Sequence, residues 1–282
     1  MINVADAFGK ARAQGRAAVI GYLPAGFPTV DVGIEAALTM ARSGADIVEI
    51  GLPYSDPLMD GPVIQEAVHH ALTGGVRVRD VLRTVEAVAA TGVPVLVMTY
   101  WNPIDKYGVD AFAADLAGAG GAGLITPDLT PEESGPWLEA ADAHGLDAVF
   151  LAAVSSTDER IARVTAACRG FVYAASLMGV TGERSEVSTA AQSLVGRIRE
   201  HTSLPVAVGV GVRDGAQAAQ IGAFADGVIV GTAFVRRLLD ATQSARGIAE
   251  VGELAAELAA GVRAAVANPA ATATSAASGA GV

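Results

Sequence analysis

Eight short apolar runs, each followed by a longer alanine-rich stretch, set the narrowest limit on what this chain can become. The runs are AAVIGYL (17–23), ADIVEIG (45–51), VPVLVMTY (93–100), AGLIT (122–126), LDAVFLA (146–152), GFVYAA (170–175), LPVAVGVG (204–211) and ADGVIVG (225–231). They are almost continuously apolar, the pattern of parallel strands buried on both faces. Helical sequence is predicted between them at about 29–43, 61–90, 108–118, 131–144, 158–167, 189–201 and 214–222, and after the last run at about 232–266. Eight strand-then-helix units in succession predict an α/β fold of the (β/α)8 type, a TIM barrel. An open doubly wound sheet is the alternative. It usually carries G-x-G-x-x-G after its first strand, whereas this strand runs into PAGFPT. Residues 2–14 read as an extra N-terminal helix capping the bottom of the barrel. The end, NPAATATSAASGAGV, lacks periodicity and large apolar side chains, so it cannot offset its ordering entropy. A single catalytic barrel is therefore expected over 1–266, with 267–282 a disordered alanine, serine, threonine and glycine tail.

Charge removes whole classes of partner. The 282 residues carry a formal net charge of -11. A phosphodiester backbone or an anionic membrane surface needs a basic face, so neither nucleic acid nor membrane is expected as partner. An anionic ligand must be held locally, by backbone N–H groups or helix ends. No apolar stretch is long enough to span a bilayer and no leader pattern opens the chain, which points to a cytoplasmic protein. Cys168 is the one cysteine, so no internal disulfide can form, and its place near a helix end reads as packing.

The segment VEIGLPYSDPLMDGP (48–62) is the first candidate for chemistry. Strand parity sends Val48 and Ile50 to the helix-facing side and turns Glu49 into the barrel, near its C-terminal mouth. A carboxyl there, with no lysine or arginine on the inward halves of the strands, has its pKa raised toward neutrality, as suits a group that gives and takes protons. The structural alternative is a glutamate paired with a base across the barrel. Asp60, on the loop leaving the same strand, is the candidate second carboxylate; its alternative is a helix N-cap just ahead of Pro62. Asp56 lies further out, where it shapes the loop or meets a partner. Pro53, Pro57 and Pro62 stiffen the segment.

A second constellation is rich in glycine. The seventh run ends in VGVGV (208–212), the eighth in IVGTAF (229–234), and MGVTGE (178–183) follows the sixth. Barrels often grip a phosphate between the loops after strands seven and eight, with backbone N–H groups that glycine lets come close. Gly211, Gly231 and Thr232 fit that cradle, with Gly182 as a third side. AGAGGAG (117–123) lies ahead of a strand, at the opposite end, and reads as a tight turn. His69, His70, His144 and His201 are not at strand C-terminal ends, and no His/Asp/Glu set has metal-ligand spacing. No strand-end lysine offers a Schiff base.

Taken with GYLPAGFPT (21–29), YWNP (100–103), TPDLTPEE (126–133) and LMGVTGER (177–184), these segments make the chain similar to the tryptophan synthase alpha chain family over about residues 2–266. The resemblance implies retro-aldol cleavage of indole-3-glycerol phosphate to indole and glyceraldehyde 3-phosphate, without metal or organic cofactor in this chain. It implies that Glu49 moves protons to indole C3 and from the glycerol hydroxyl, and that Asp60 sits by the indole N–H. Tyr173 matches an active-site tyrosine, while Tyr22 and Met98 would line the indole pocket. Thr181 and Gly182 in the GVTG loop, with Gly211, Gly231 and Thr232, match the phosphate binders, and MGVTGERSEVS would close as a lid. The implied partner is a pyridoxal-phosphate beta chain in an α2β2 complex, with Asp56 and Asn102 facing it. Thr232 stands where serine is usual, Tyr54 where phenylalanine is common, and Leu177 where many members are basic. The alternatives are a stand-alone indole-releasing lyase and a non-catalytic subunit that binds a phosphorylated ligand.

Overall fold

In the computed structural model, which describes residues 3–176 and 184–265, eight parallel strands close into a barrel in sequence order. They are β1 (Ala18–Pro24), β2 (Ile47–Gly51), β3 (Val95–Met98), β4 (Gly123–Thr126), β5 (Asp147–Ala153), β6 (Val172–Ala175), β7 (Val206–Gly209) and β8 (Gly227–Val230). Pairing of β8 with β1, Val19 beside Val228, closes the ring, so the barrel prevails over the open sheet. The N-terminal helix is present as α1 (Val4–Ala13), capped by the Asn3 side chain accepting the Ala5 N–H at 2.8 Å. Its Val4, Ala7, Phe8 and Ala11 recur at helical spacing and pack into the barrel floor with Ile20, Ile47, Leu96 and Phe171. The Phe8 and Phe171 ring centroids lie 5.5 Å apart.

Around the barrel run α2 (Val30–Ser43), α3 (Pro62–Thr73), α4 (Val78–Ala89), α5 (Trp101–Tyr107), α6 (Val109–Gly118), α7 (Gly135–His144), α8 (Asp158–Ala167), α9 (Arg184–Arg199), α10 (Gly215–Gly222), α11 (Thr232–Leu239) and α12 (Ser244–Ala264). Val48 and Ile50 lie in the larger cluster between strands and helices, on the side that parity assigned them. Two expected helices are each split. The 61–90 stretch breaks at Gly74 and Gly75, where Gly75 takes φ +83°, and restarts at α4 with the Asp80 carboxylate accepting the Arg77 N–H at 2.9 Å. The 232–266 stretch breaks between α11 and α12. Helix α5 was not expected; Asp128 holds its first turn by accepting the Trp101 N–H at 2.9 and 3.1 Å. The glycine-rich 117–123 stretch is a turn, with the Gly121 N–H bonded to the Leu116 carbonyl at 2.9 Å.

The barrel's N-terminal face is held by a device used twice. Asp46, just ahead of β2, accepts the Val19 N–H at 2.8 Å and pairs with Arg16 at 2.6 and 2.8 Å. Asp226, just ahead of β8, accepts the Val206 N–H at 2.9 Å and pairs with Arg199 at 3.1 Å. Both carboxylates tie one strand to its neighbour's register, leaving the opposite face for chemistry. Thr181, Gly182, the remainder of the lid segment through 183, and the 267–282 tail lie outside the described residues.

Candidate active site

The C-terminal mouth opens into a cavity of about 620 Å³. Glu49 and Tyr22 sit in register on β2 and β1, so their side chains share the inner face. Glu49 is 0% exposed, and neither carboxyl oxygen has a hydrogen-bond partner among the described residues. Burial pushes its pKa up from 4.5 to about 8, which leaves a neutral acid at pH 7. The Tyr22 and Tyr173 phenols are both pushed above their ordinary values, by burial first. Nearby carboxyls add to this, Asp60 and then Glu49 for Tyr22, and Glu49 for Tyr173. Both rings depend on glycine opposite them. A Cβ on Gly51 would fall 2.2 Å from the Tyr22 hydroxyl oxygen, and one on Gly209 would fall 2.6 Å from that of Tyr173.

Asp60 lines the same cavity from the loop after β2. It is not an N-cap: Gly61 holds that place ahead of α3 and makes no side-chain cap bond. Burial raises its pKa, and the Tyr100 hydroxyl, donating to Asp60 Oδ1 at 3.1 Å, pulls it back down. Leu52, Ile64, Met98, Leu151 and Ile229 give the cavity its apolar walls. Its far end holds Gly211, with φ +77°, then Gly231 and Thr232, where α11 begins without a side-chain cap. A helix start left uncapped, beside a glycine turned into the left-handed region, presents N–H groups to an anion.

The structure therefore gathers Glu49, Asp60, Tyr22, Met98, Tyr173, Gly211, Gly231 and Thr232 around one cavity. Asp56 on the loop after β2 and Asn102 in the first turn of α5 are exposed outside it, Asp56 accepting from the Ser55 hydroxyl and the Asn102 amide donating to the Tyr54 hydroxyl at 3.3 Å. On the same loop as Asp56, Leu58 and Met59 stand 81% and 44% exposed, an apolar step. Sequence reasoning missed Tyr100, although it shares parity with Leu96 and Met98 and so points inward. It also missed that Arg213, Arg236 and Arg237 stand around the glycine end. Those cations lie on helices and loops, where strand parity gives no signal. Cys168 is buried, and its thiol is pushed up to about 12, as befits a packing residue.

The sequence model described as tryptophan synthase alpha chain matches residues 8–263. The alpha chain of Salinispora arenicola is 60% identical over 263 residues, covering 93% of this chain and 98% of its own length. That of Streptomyces coelicolor is 61% identical over 259 residues, covering 92% and 96%. The chain belongs to the tryptophan synthase alpha chain family. It is accordingly a carbon–carbon lyase of tryptophan biosynthesis, in the family that cleaves indole-3-glycerol phosphate. The fold agrees: tryptophan synthase of Mycobacterium tuberculosis superimposes with TM-score 0.86 at 55% identity, over 92% of this chain and 98% of that one. An alpha chain from Legionella pneumophila gives 0.84 at 30% identity, over 93% and 97%. The barrel fold thus persists in the tryptophan synthase alpha chain family down to 30% identity. Among the described residues no His/Cys/Asp/Glu group could hold a metal ion, and no helix is long and apolar enough to cross a membrane.

Proposed function

We propose that this chain cleaves indole-3-glycerol phosphate to indole and glyceraldehyde 3-phosphate, with Glu49 as the proton-transfer group and Asp60 as the anion that meets the indole nitrogen. The observation that carries the reading is Glu49: a fully buried carboxyl, unpaired among the described residues, on the wall of the same cavity as Asp60. In its neutral form Glu49 gives its proton to indole C3. The positive charge that appears on the ring nitrogen is met by Asp60, a fixed anion whose effect is greatest when that charge is present. The ionised Glu49 then takes the proton of the adjacent glycerol hydroxyl. The C–C bond breaks, its electron pair returns to the indole ring, and the oxygen becomes the aldehyde carbonyl. Glu49 ends protonated, as it began.

Tyr22 and Met98 flank the ring, Tyr173 lines the same cavity as Glu49, and Gly211, Gly231 and Thr232 hold the phosphate, joined by Thr181 and Gly182 of the loop after β6. The chain itself needs no organic cofactor. It works in the cytoplasm, in an α2β2 complex with a beta chain that carries pyridoxal phosphate, and Asp56 and Asn102 face that partner. The exposed Leu58 and Met59 on the loop of Asp56 support a docking rim there. The catalytic unit is one barrel over residues 1–266.

The test is indole release from indole-3-glycerol phosphate by the full chain, with and without a beta chain. Release stimulated by the beta chain is expected. Release without stimulation makes the chain a stand-alone lyase, and no release makes it a binding subunit. In the same assay Gly211→Asp is expected to raise KM at least tenfold. It puts a carboxylate beside the phosphate and forces a side chain onto φ +77°. An unchanged KM removes the cradle.

A further inference from the structure

Asp60 is carried by a loop, not a strand, so something must fix where its carboxylate points. That role falls to one phenol. The Tyr100 hydroxyl donates to Asp60 Oδ1 at 3.1 Å and accepts the Met59 N–H at 2.9 Å. A phenol has one proton and can accept while it donates. With its oxygen engaged by the backbone N–H, its proton is directed at the carboxylate. The ring is 5% exposed and packs at 5.6 Å against Tyr54, which itself accepts from Asn102. Burial holds the Tyr100 phenol protonated above its ordinary range, so it remains a donor wherever the enzyme works.

We infer that Tyr100 is a positioning residue for the cleavage reaction, acting through Asp60: its hydroxyl aims that carboxylate, and the backbone just ahead of it, across the cavity toward the place of the indole nitrogen. The inference rests on the reading of Asp60 given above. Phenylalanine would fill the same space and keep the contact with Tyr54, so what tyrosine adds is a pair of hydrogen bonds, one from the Met59 N–H and one to the Asp60 carboxylate. The bond to Asp60 favours the ionised carboxylate, the form that can meet a cation, and works against the burial that favours the neutral form.

The other titratable or charged groups around the cavity are Tyr22 on β1, Glu49 on β2, Tyr173 on β6, Arg213, Arg236 and Arg237 at the glycine end, Asp240 at the end of α11 and Glu250 on α12. Tyr100→Phe leaves all of these groups in place. The variant should therefore move the acid limb of the pH profile, set by Asp60, and leave the alkaline limb, set by Glu49. In the complex with a beta chain, Tyr100→Phe is expected to lower kcat about 10-fold with KM changed less than about twofold. Its acid limb should shift to higher pH.

A purely structural role would raise KM or lower thermal stability while leaving the limb in place, and that result overturns the inference. So does an unaltered kcat. Asp60→Asn, run in parallel, separates the two levels. If Asp60→Asn keeps full turnover, the reading of Asp60 itself fails; if it is inactive while Tyr100→Phe matches the parent, only the inference fails. Carbon-13 titration of the Asp60 carboxyl in Tyr100→Phe probes the same hydrogen bond without turnover: an upward shift is expected, and no shift overturns the role.

Discussion

Glu49→Gln is expected to lower indole release by about 10²–10⁴-fold, because the amide can neither give the proton to indole C3 nor take one from the glycerol hydroxyl. The same change alters stability in the opposite direction. The Glu49 carboxyl has its pKa raised from 4.5 to about 8 by burial. A carboxyl whose folded-state pKa lies above its unfolded value contributes stability that is fully present below about pH 4.5. That stability is lost as pH rises through about 8. By pH 7 the loss is about 3 kcal/mol. The glutamine variant does not titrate there, so its stability relative to the parent should grow steadily from pH 4.5 to 8. The buried amide costs about 1–3 kcal/mol where it finds no partners, so the slope against pH is a cleaner readout than the difference at one pH. Chemical denaturation of both proteins across that range measures it. Parallel slopes would mean that Glu49 is ionised or paired in the folded chain.

Asp60→Asn is the second large effect: kcat is expected to fall about 10²–10³-fold while KM moves little. Asparagine keeps the shape, and its oxygen can still accept from Tyr100, so the loss isolates charge from position. Steady-state kinetics of the variant beside a beta chain check this. A rise in KM with kcat preserved would place Asp60 in substrate binding rather than in charge stabilisation. Asp60 and Glu49 thus divide the work by environment. Glu49 is wholly buried and neutral, while the half-buried Asp60 is drawn toward its anion by Tyr100.

The barrel could be read from sequence because two-sided burial makes each strand an apolar run, and eight such runs leave few other folds. Glu49 stood out for the converse reason, a charge where the pattern demands branched apolar residues. Boundaries were less legible. The run 93–100 continues past β3 (Val95–Met98) because Thr99 and Tyr100 stay buried on leaving the strand. Helices α3 and α4 read as one because the apolar spacing continues on both sides of Gly74 and Gly75. Helix α5 depends on Asp128, 27 positions away, and nothing local announces that bond. Tyr100 shows the same limit within the site: its parity was legible, but its hydrogen bond to Asp60 joins residues 40 apart on two loops. Arg213, Arg236 and Arg237 meet at the cavity only because the ends of β7 and β8 are neighbours in the closed ring.

The buried neutral acid at position 49 can be tested directly by carbon-13 titration of glutamate side-chain carboxyls in the full chain, with the Glu49 signal assigned by its absence from Glu49→Gln. A midpoint near pH 8 is expected. A midpoint near 4.5, the ordinary glutamate value, would mean that the carboxyl is solvated or paired and cannot hold a proton at neutral pH to deliver to the ring.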